Sequence, residues 1–71
     1  MKRDPFLKKV AIAVKKARAD KGLTLFDVEV ETEISKRQLI RIEQGKANLA
    51  AHTLYKLAKV LEIDLKALFE A

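Results

Sequence analysis

Apolar residues recur along this chain at spacings of three and four, the period of a helix that turns one face inward. Phe6, Val10, Val14 and Ala17 follow one another by four, four and three, and predict a first helix over about Asp4 to Asp20. Asp4 is its expected cap, Pro5 suits its first turn, and Gly22 ends it after the cationic Lys21. Thr24 can cap a second helix, about Leu25 to Glu31, with Asp27 as reciprocal partner in a capping box and Val28 pointing inward. Glu31 to Glu33 then makes a turn. Ile34, Leu39 and Ile42 form the inner face of a third helix, which Ser35 caps and Gly45 stops, so that it covers residues 35–44. After the loop Gly45 to Leu49, the stripe Leu54, Leu57, Ala58 and Leu61 predicts a fourth helix over about Ala50 to Leu61. Asp64 caps a short last helix, Leu65 to Phe69. Without repeats or low-complexity stretches, this pattern is that of an all-α bundle of five helices.

The polar side of the third helix carries the candidate chemistry. Lys36, Arg37, Gln38 and Arg41 fall opposite the apolar face, so the first turns offer three cations and an amide. Arg and Lys can donate to guanine O6 and N7, and Gln can pair with adenine N6 and N7. The competing reading is a helix face that charge merely solvates, and on this stretch alone the two stand level.

Charge distribution adds context. The net charge is +5, but residues 1–23 carry +6, residues 24–34 carry −4, residues 35–49 carry +3 and residues 50–71 balance. The third helix thus lies in one of two basic blocks, which attract phosphate polyanions and also membranes. The first helix bears Lys8, Lys9, Lys15 and Lys16 on its outer side, yet its apolar side matches a protein core better than a bilayer surface. No apolar run reaches the roughly 18 residues that suggest a membrane span, and Lys15 and Lys16 interrupt the first apolar segment, so neither a span nor a secretory signal is expected. The 71 residues suit one domain over 1–71 with a core at about 6–69 and no effector domain. A chain of that size buries only roughly 60% of its unfolded surface, and dimerisation would help it. With no cysteine, neither a disulfide nor a thiolate metal site can form, and a cytoplasmic protein is expected.

The second and third helices, joined by a turn of three or four residues, have the layout of a helix-turn-helix. Around them stand R-x-x-x-G-L-T at Arg18 to Thr24, I-S at Ile34 and Ser35, and I-E-x-G at Ile42 to Gly45. T-L-x-x-L-A-x-x-L follows at Thr53 to Leu61 and L-x-x-L-F at Leu65 to Phe69. In that order and spacing the chain resembles the phage repressor and Cro-like (Xre-type) DNA-binding domains over about residues 6–69. The resemblance implies a five-helix, lambda-repressor-like domain that lays the second motif helix in the major groove of double-stranded DNA, commonly as a homodimer on a two-fold operator. It implies base reading by Lys36, Arg37, Gln38 and Arg41, and phosphate contacts by Thr24, Lys46 and Asn48. It also implies a structural ion pair of Arg18 with Glu43, tying the first helix to the third.

The chain departs from the family pattern at four positions. Members usually carry Gln where Leu25 stands, Ala at Glu29, a large aliphatic residue at Thr32 and Gly at Glu33. Ala suits a tight crossing of the motif helices and Gly a left-handed turn. Either the helices splay here, or Glu29 reaches solvent or a cation such as Arg37. The acidic block 27–33, directly before the reading helix, works against phosphate binding.

Catalysis finds no support. His52 is the one histidine and is expected at the surface, the one serine, Ser35, is a cap, and no set of residues has zinc spacing. Glu29 and Glu33 read as an exposed i, i+4 pair, and no phosphate-binding glycine loop is present, so no cofactor and no enzyme are expected. Two functions remain. One is a small sequence-specific transcriptional regulator, controlled by its own concentration or by a regulatory protein partner, as in controller proteins of restriction systems or antitoxin-type autoregulators. The alternative is a repressor-like fold used as a protein-interaction module, docking through Leu65, Leu68 and Phe69. Leu65 and Leu68 serve core closure in the simpler reading, which leaves Phe69 or Leu49 for a dimer contact.

Overall fold

The computed structural model describes residues 5–69. Among them lie five helices and no strand: α1 (Pro5–Asp20), α2 (Leu25–Thr32), α3 (Lys36–Glu43), α4 (Ala51–Leu61) and α5 (Leu65–Phe69). The expected cap Asp4 lies outside the described residues. Elsewhere the helix ends follow from local chemistry. Thr24 and Asp27 form a reciprocal capping box, the Asp27 N–H donating to Thr24 Oγ1 at 3.1 Å and the Thr24 N–H to Asp27 Oδ2 at 2.8 Å. Ser35 Oγ accepts from the Gln38 N–H at 3.1 Å, and Asp64 Oδ1 from the Lys66 N–H at 3.0 Å. α4 starts one residue later than the spacing predicts, because Ala50 is extended and serves as an N-cap without a side-chain acceptor.

α1 packs against α3, α4 and α5, while α2 packs against α3 and α4. Leu39 of α3 and Leu57 of α4 are wholly buried, and Val10, Val14, Val28, Ile42 and Leu61 close around them. These are the inward positions of the helical spacing, and burying each large aliphatic side chain contributes roughly 1.5–3 kcal/mol. α3 is therefore held along its inner side and presents its other side outward. Lys21 after α1 reaches Glu62 after α4, and this hydrogen bond holds the Glu62 carboxyl below its ordinary pKa. The contribution of that contact is present above the ordinary glutamate pKa and fades as pH falls through the lowered one.

The departures from the family pattern find local answers. Thr32, where an aliphatic residue is usual, is buried, and its hydroxyl donates to the Val28 carbonyl at 2.7 Å and accepts from the Ile34 N–H at 3.2 Å. Its polar atom is thus satisfied inside the turn, which removes the cost of burying it. Glu33 has φ 62°, the left-handed conformation that its family position fills with glycine. A β-carbon there costs about 1–2 kcal/mol, which the Glu33 N–H offsets in part by closing α2 onto the Glu29 carbonyl at 2.8 Å. Glu33→Gly is accordingly expected to raise stability by about 0.5–1 kcal/mol, seen as a higher urea midpoint at unchanged slope. A lower midpoint would show that the Glu33 side chain contributes more than its backbone strain costs.

Candidate nucleic-acid interface

The Ser35 cap and the buried Ile34, Leu39 and Ile42 set the rotation of α3 about its axis. With those inward, Lys36, Arg37 and Arg41 are exposed and Gln38 is half-buried beside them. Residues four apart on a helix lie one above the other, so Arg37 and Arg41 share a row and Lys36 starts the next. Ile40, 38% exposed, and Gln44, the exposed C-cap, complete the same face. Neither Ile40 nor Gln44 is among the residues singled out from the sequence. Their spacing of four from Lys36 and of three from Arg41 is the signal that marks them.

The cations of this face are not neutralised by the acidic block. Among the described residues, the ion pairs are Lys16 with Asp20 at 3.0 Å, Arg18 with Glu43 at 2.8 Å, and Lys21 with Glu62. None involves Lys36, Arg37 or Arg41, and Glu29 stays half-buried without reaching Arg37. Arg41 Nη2 donates to the Lys46 carbonyl at 3.5 Å, a long contact that uses one of five guanidinium donors and leans Arg41 toward the loop after α3. In that loop Lys46 and Asn48 are exposed, flanking the buried Ala47 that anchors it. Thr24 is exposed at the start of α2. Its Oγ1 is occupied as an acceptor by the Asp27 N–H, but its hydroxyl proton can still be donated outward.

Arg18 and Glu43 meet as a fork. Arg18 Nε donates to Glu43 Oε2 at 2.8 Å, Nη2 to Oε1 at 3.1 Å, and Nη1 to the Leu23 carbonyl at 3.1 Å. The Glu43 hydrogen bond raises the guanidinium pKa above its already high ordinary value, so Arg18 stays charged throughout the physiological range. One side chain of α1 thereby fixes the end of α3 and the entry to α2. No group of three or more His, Cys, Asp or Glu side chains is placed to hold a metal ion among the described residues.

A family model described as a helix-turn-helix domain matches residues 11–71. An uncharacterized HTH-type transcriptional regulator, y4dJ of Sinorhizobium fredii (strain NBRC 101917 / NGR234), is 38% identical over 47 residues, which are 66% of this chain and 61% of that protein. The chain thus spans about three-fifths of the length of this curated relative. Among solved structures, the wild-type restriction-modification controller protein C.Esp1396I superposes with a TM-score of 0.81 at 29% identity, covering 93% of this chain and 87% of that one. The same controller, as a tetramer in complex with its natural 35 base-pair operator, superposes with a TM-score of 0.80, at the same identity and coverage. The clp gene regulator ClgR from Corynebacterium glutamicum has a TM-score of 0.83 at 21% identity, covering 94% of this chain and 71% of its own, and shares the fold.

Proposed function

This chain belongs to the helix-turn-helix domain family, and we propose that it is a small DNA-binding transcriptional regulator that sets α3 into the major groove. The observation that carries this reading is the outward face of α3, with three cations that are not ion-paired among the described residues. Lys36, Arg37, Gln38 and Arg41 read base edges, and Ile40 can meet a thymine methyl beside them. Thr24, Lys46 and Asn48 flank the face and hold phosphates, which set the register of the helix on the duplex. The operator-bound tetramer of the C.Esp1396I controller supports duplex DNA as the ligand and more than one copy as the binding unit.

We further propose a homodimer. The domain measures 30 × 24 × 21 Å, so two copies side by side can present their α3 helices to successive major-groove faces roughly 34 Å apart. Tyr55 and Phe69, 58% and 68% exposed, offer aromatic surface for that contact, as does Phe26 on α2 at 67%, and Phe69 is prepositioned by stacking on Phe6 with ring centroids 5.2 Å apart. Leu65 and Leu49 are half-buried against the core and Leu68 is buried in it, which leaves them a lesser share. No helix among the described residues is long and apolar enough to cross a membrane; the DNA-binding role is what supports a cytoplasmic site of action. The family is one of DNA-binding regulators rather than of enzymes.

Titrating salt against binding to a random-sequence duplex tests the reading. Each phosphate neutralised contributes about −0.9 to the slope of log K against log salt, so affinity should fall steeply. Lys46→Ala should weaken binding to all duplexes alike and reduce that slope by about 1. Absence of binding at low salt would overturn the proposal and leave the protein-interaction module, docking through the Tyr55 and Phe69 surface, as the better account.

A further inference from the structure

Beside the reading face lies a second basic feature, of which the proposed function uses only Lys46. An open cleft of about 440 Å³ runs between α1 and the loop after α3, with Lys8 and Lys15 along one wall and Lys46 on the other. Lys8 and Lys15 are seven residues apart, two turns of helix, which places them about 10 Å from one another along the axis of α1. Gly45 brings the opposite wall close. It holds φ 72°, and a β-carbon there would lie 3.8 Å from the Leu7 carbonyl oxygen and 3.8 Å from Lys8 Cα, so the loop rests on the α1 backbone. The one carboxylate in the lining, Glu43, is nearly buried and spent on the Arg18 fork. Its charge is compensated from inside the protein, and the three lysines leave the cleft cationic. The same fork locks α1 to α3, so the cleft keeps a constant position relative to the reading face.

We infer that this cleft, through Lys8 and Lys15 together with Lys46, is a second phosphate-binding track that grips the DNA backbone beyond the bases read by α3. The inference rests on the proposed DNA-binding function and extends it. Lys46 belongs to both regions, so a strand that meets Lys46 at the edge of the groove continues past α1. The ligand is a polyanionic sugar-phosphate strand rather than a single compact anion, because the cations are spread over two turns of helix and the cleft is open along its length.

The test compares the salt dependence of binding to a random duplex for the full chain and three variants: Lys8→Ala, Lys15→Ala and the pair together. Lys16→Ala, which removes the same charge from the same helix outside the cleft, serves as the control. All are exposed side chains, and thermal unfolding checks that each variant stays folded. At about −0.9 per phosphate contact, the double variant should lose nearly 2 from the magnitude of the slope. The affinity lost between 50 and 200 mM salt then shrinks roughly tenfold relative to the unmodified chain, with the Lys16→Ala slope unchanged. A steep slope that the double variant leaves intact overturns the track while sparing the DNA-binding function. A drop with Lys16→Ala equal to that of Lys8→Ala or Lys15→Ala alone also overturns it, since the effect would then be bulk charge. No salt-dependent binding by the unmodified chain overturns both.

Discussion

Arg18→Ala is expected to destabilise the domain by about 3 kcal/mol, a large share of the roughly 5–15 kcal/mol by which a native domain outlasts its unfolded state. The variant leaves the Glu43 carboxylate, 9% exposed, without the two donors at 2.8 and 3.1 Å that now satisfy it, and frees the Leu23 carbonyl as well. Arg18 itself is a quarter exposed, which sets the cost at the lower end of the range for fully buried pairs. For a domain this small, each kcal/mol moves the melting temperature by about 4–8 °C, so a fall of roughly 12–24 °C is expected in a thermal melt. Replacing both partners, Arg18→Met with Glu43→Leu, should recover much of the loss, because no charge is then left buried alone. A melting temperature for Arg18→Ala within a few degrees of the unmodified chain would mean that the fork contributes little. The function would change with it, since this side chain ties the end of α3, and with it the cleft, to α1 beside the core packing of the two helices.

On an operator selected from a random DNA pool, Arg37→Ala and Gln38→Ala should each weaken binding by about 1–3 kcal/mol, roughly 5- to 150-fold. The reason is positional: Ser35 caps α3 through the Gln38 N–H, and the first turn of α3 is where both side chains leave the helix. Lost contacts to base edges should also flatten the preference at one operator position per residue, which competition against single-base variants of the operator measures. Losses of the same size on every competitor would show that both residues touch phosphate only, and the division between reading and positioning residues would have to be redrawn.

The three glutamates and one aspartate before α3 acquire a clearer meaning once placed. Asp27 belongs to the capping box, Glu29 and Glu33 close the end of α2 through their backbones, and Glu31 is exposed. Long-range repulsion from this block still acts against phosphate binding, but no carboxylate of it pairs with the cations of α3 among the described residues.

Much of the architecture was legible because it is written in short-range terms. A cap needs an acceptor two or three residues before its donor, and Thr24, Ser35 and Asp64 each lie beside the helix starts they serve. An inward face needs apolar residues three or four apart, and Leu39, Ile42, Leu57 and Leu61 stand so. The outward place of Lys36, Arg37 and Arg41 follows from the same periodicity. What tertiary structure alone decided depends on residues far apart in the chain. Thr32 is tolerated in the interior because the turn supplies both its hydrogen-bond partners, and Glu33 takes a glycine conformation because helix packing holds the turn there. Lys8 and Lys15 face Lys46 only because the loop at Gly45 settles onto α1. Periodicity states which side of a helix meets the core, whereas which exposed charges become neighbours is a matter of how the helices cross, and that is set by the packing of the whole domain.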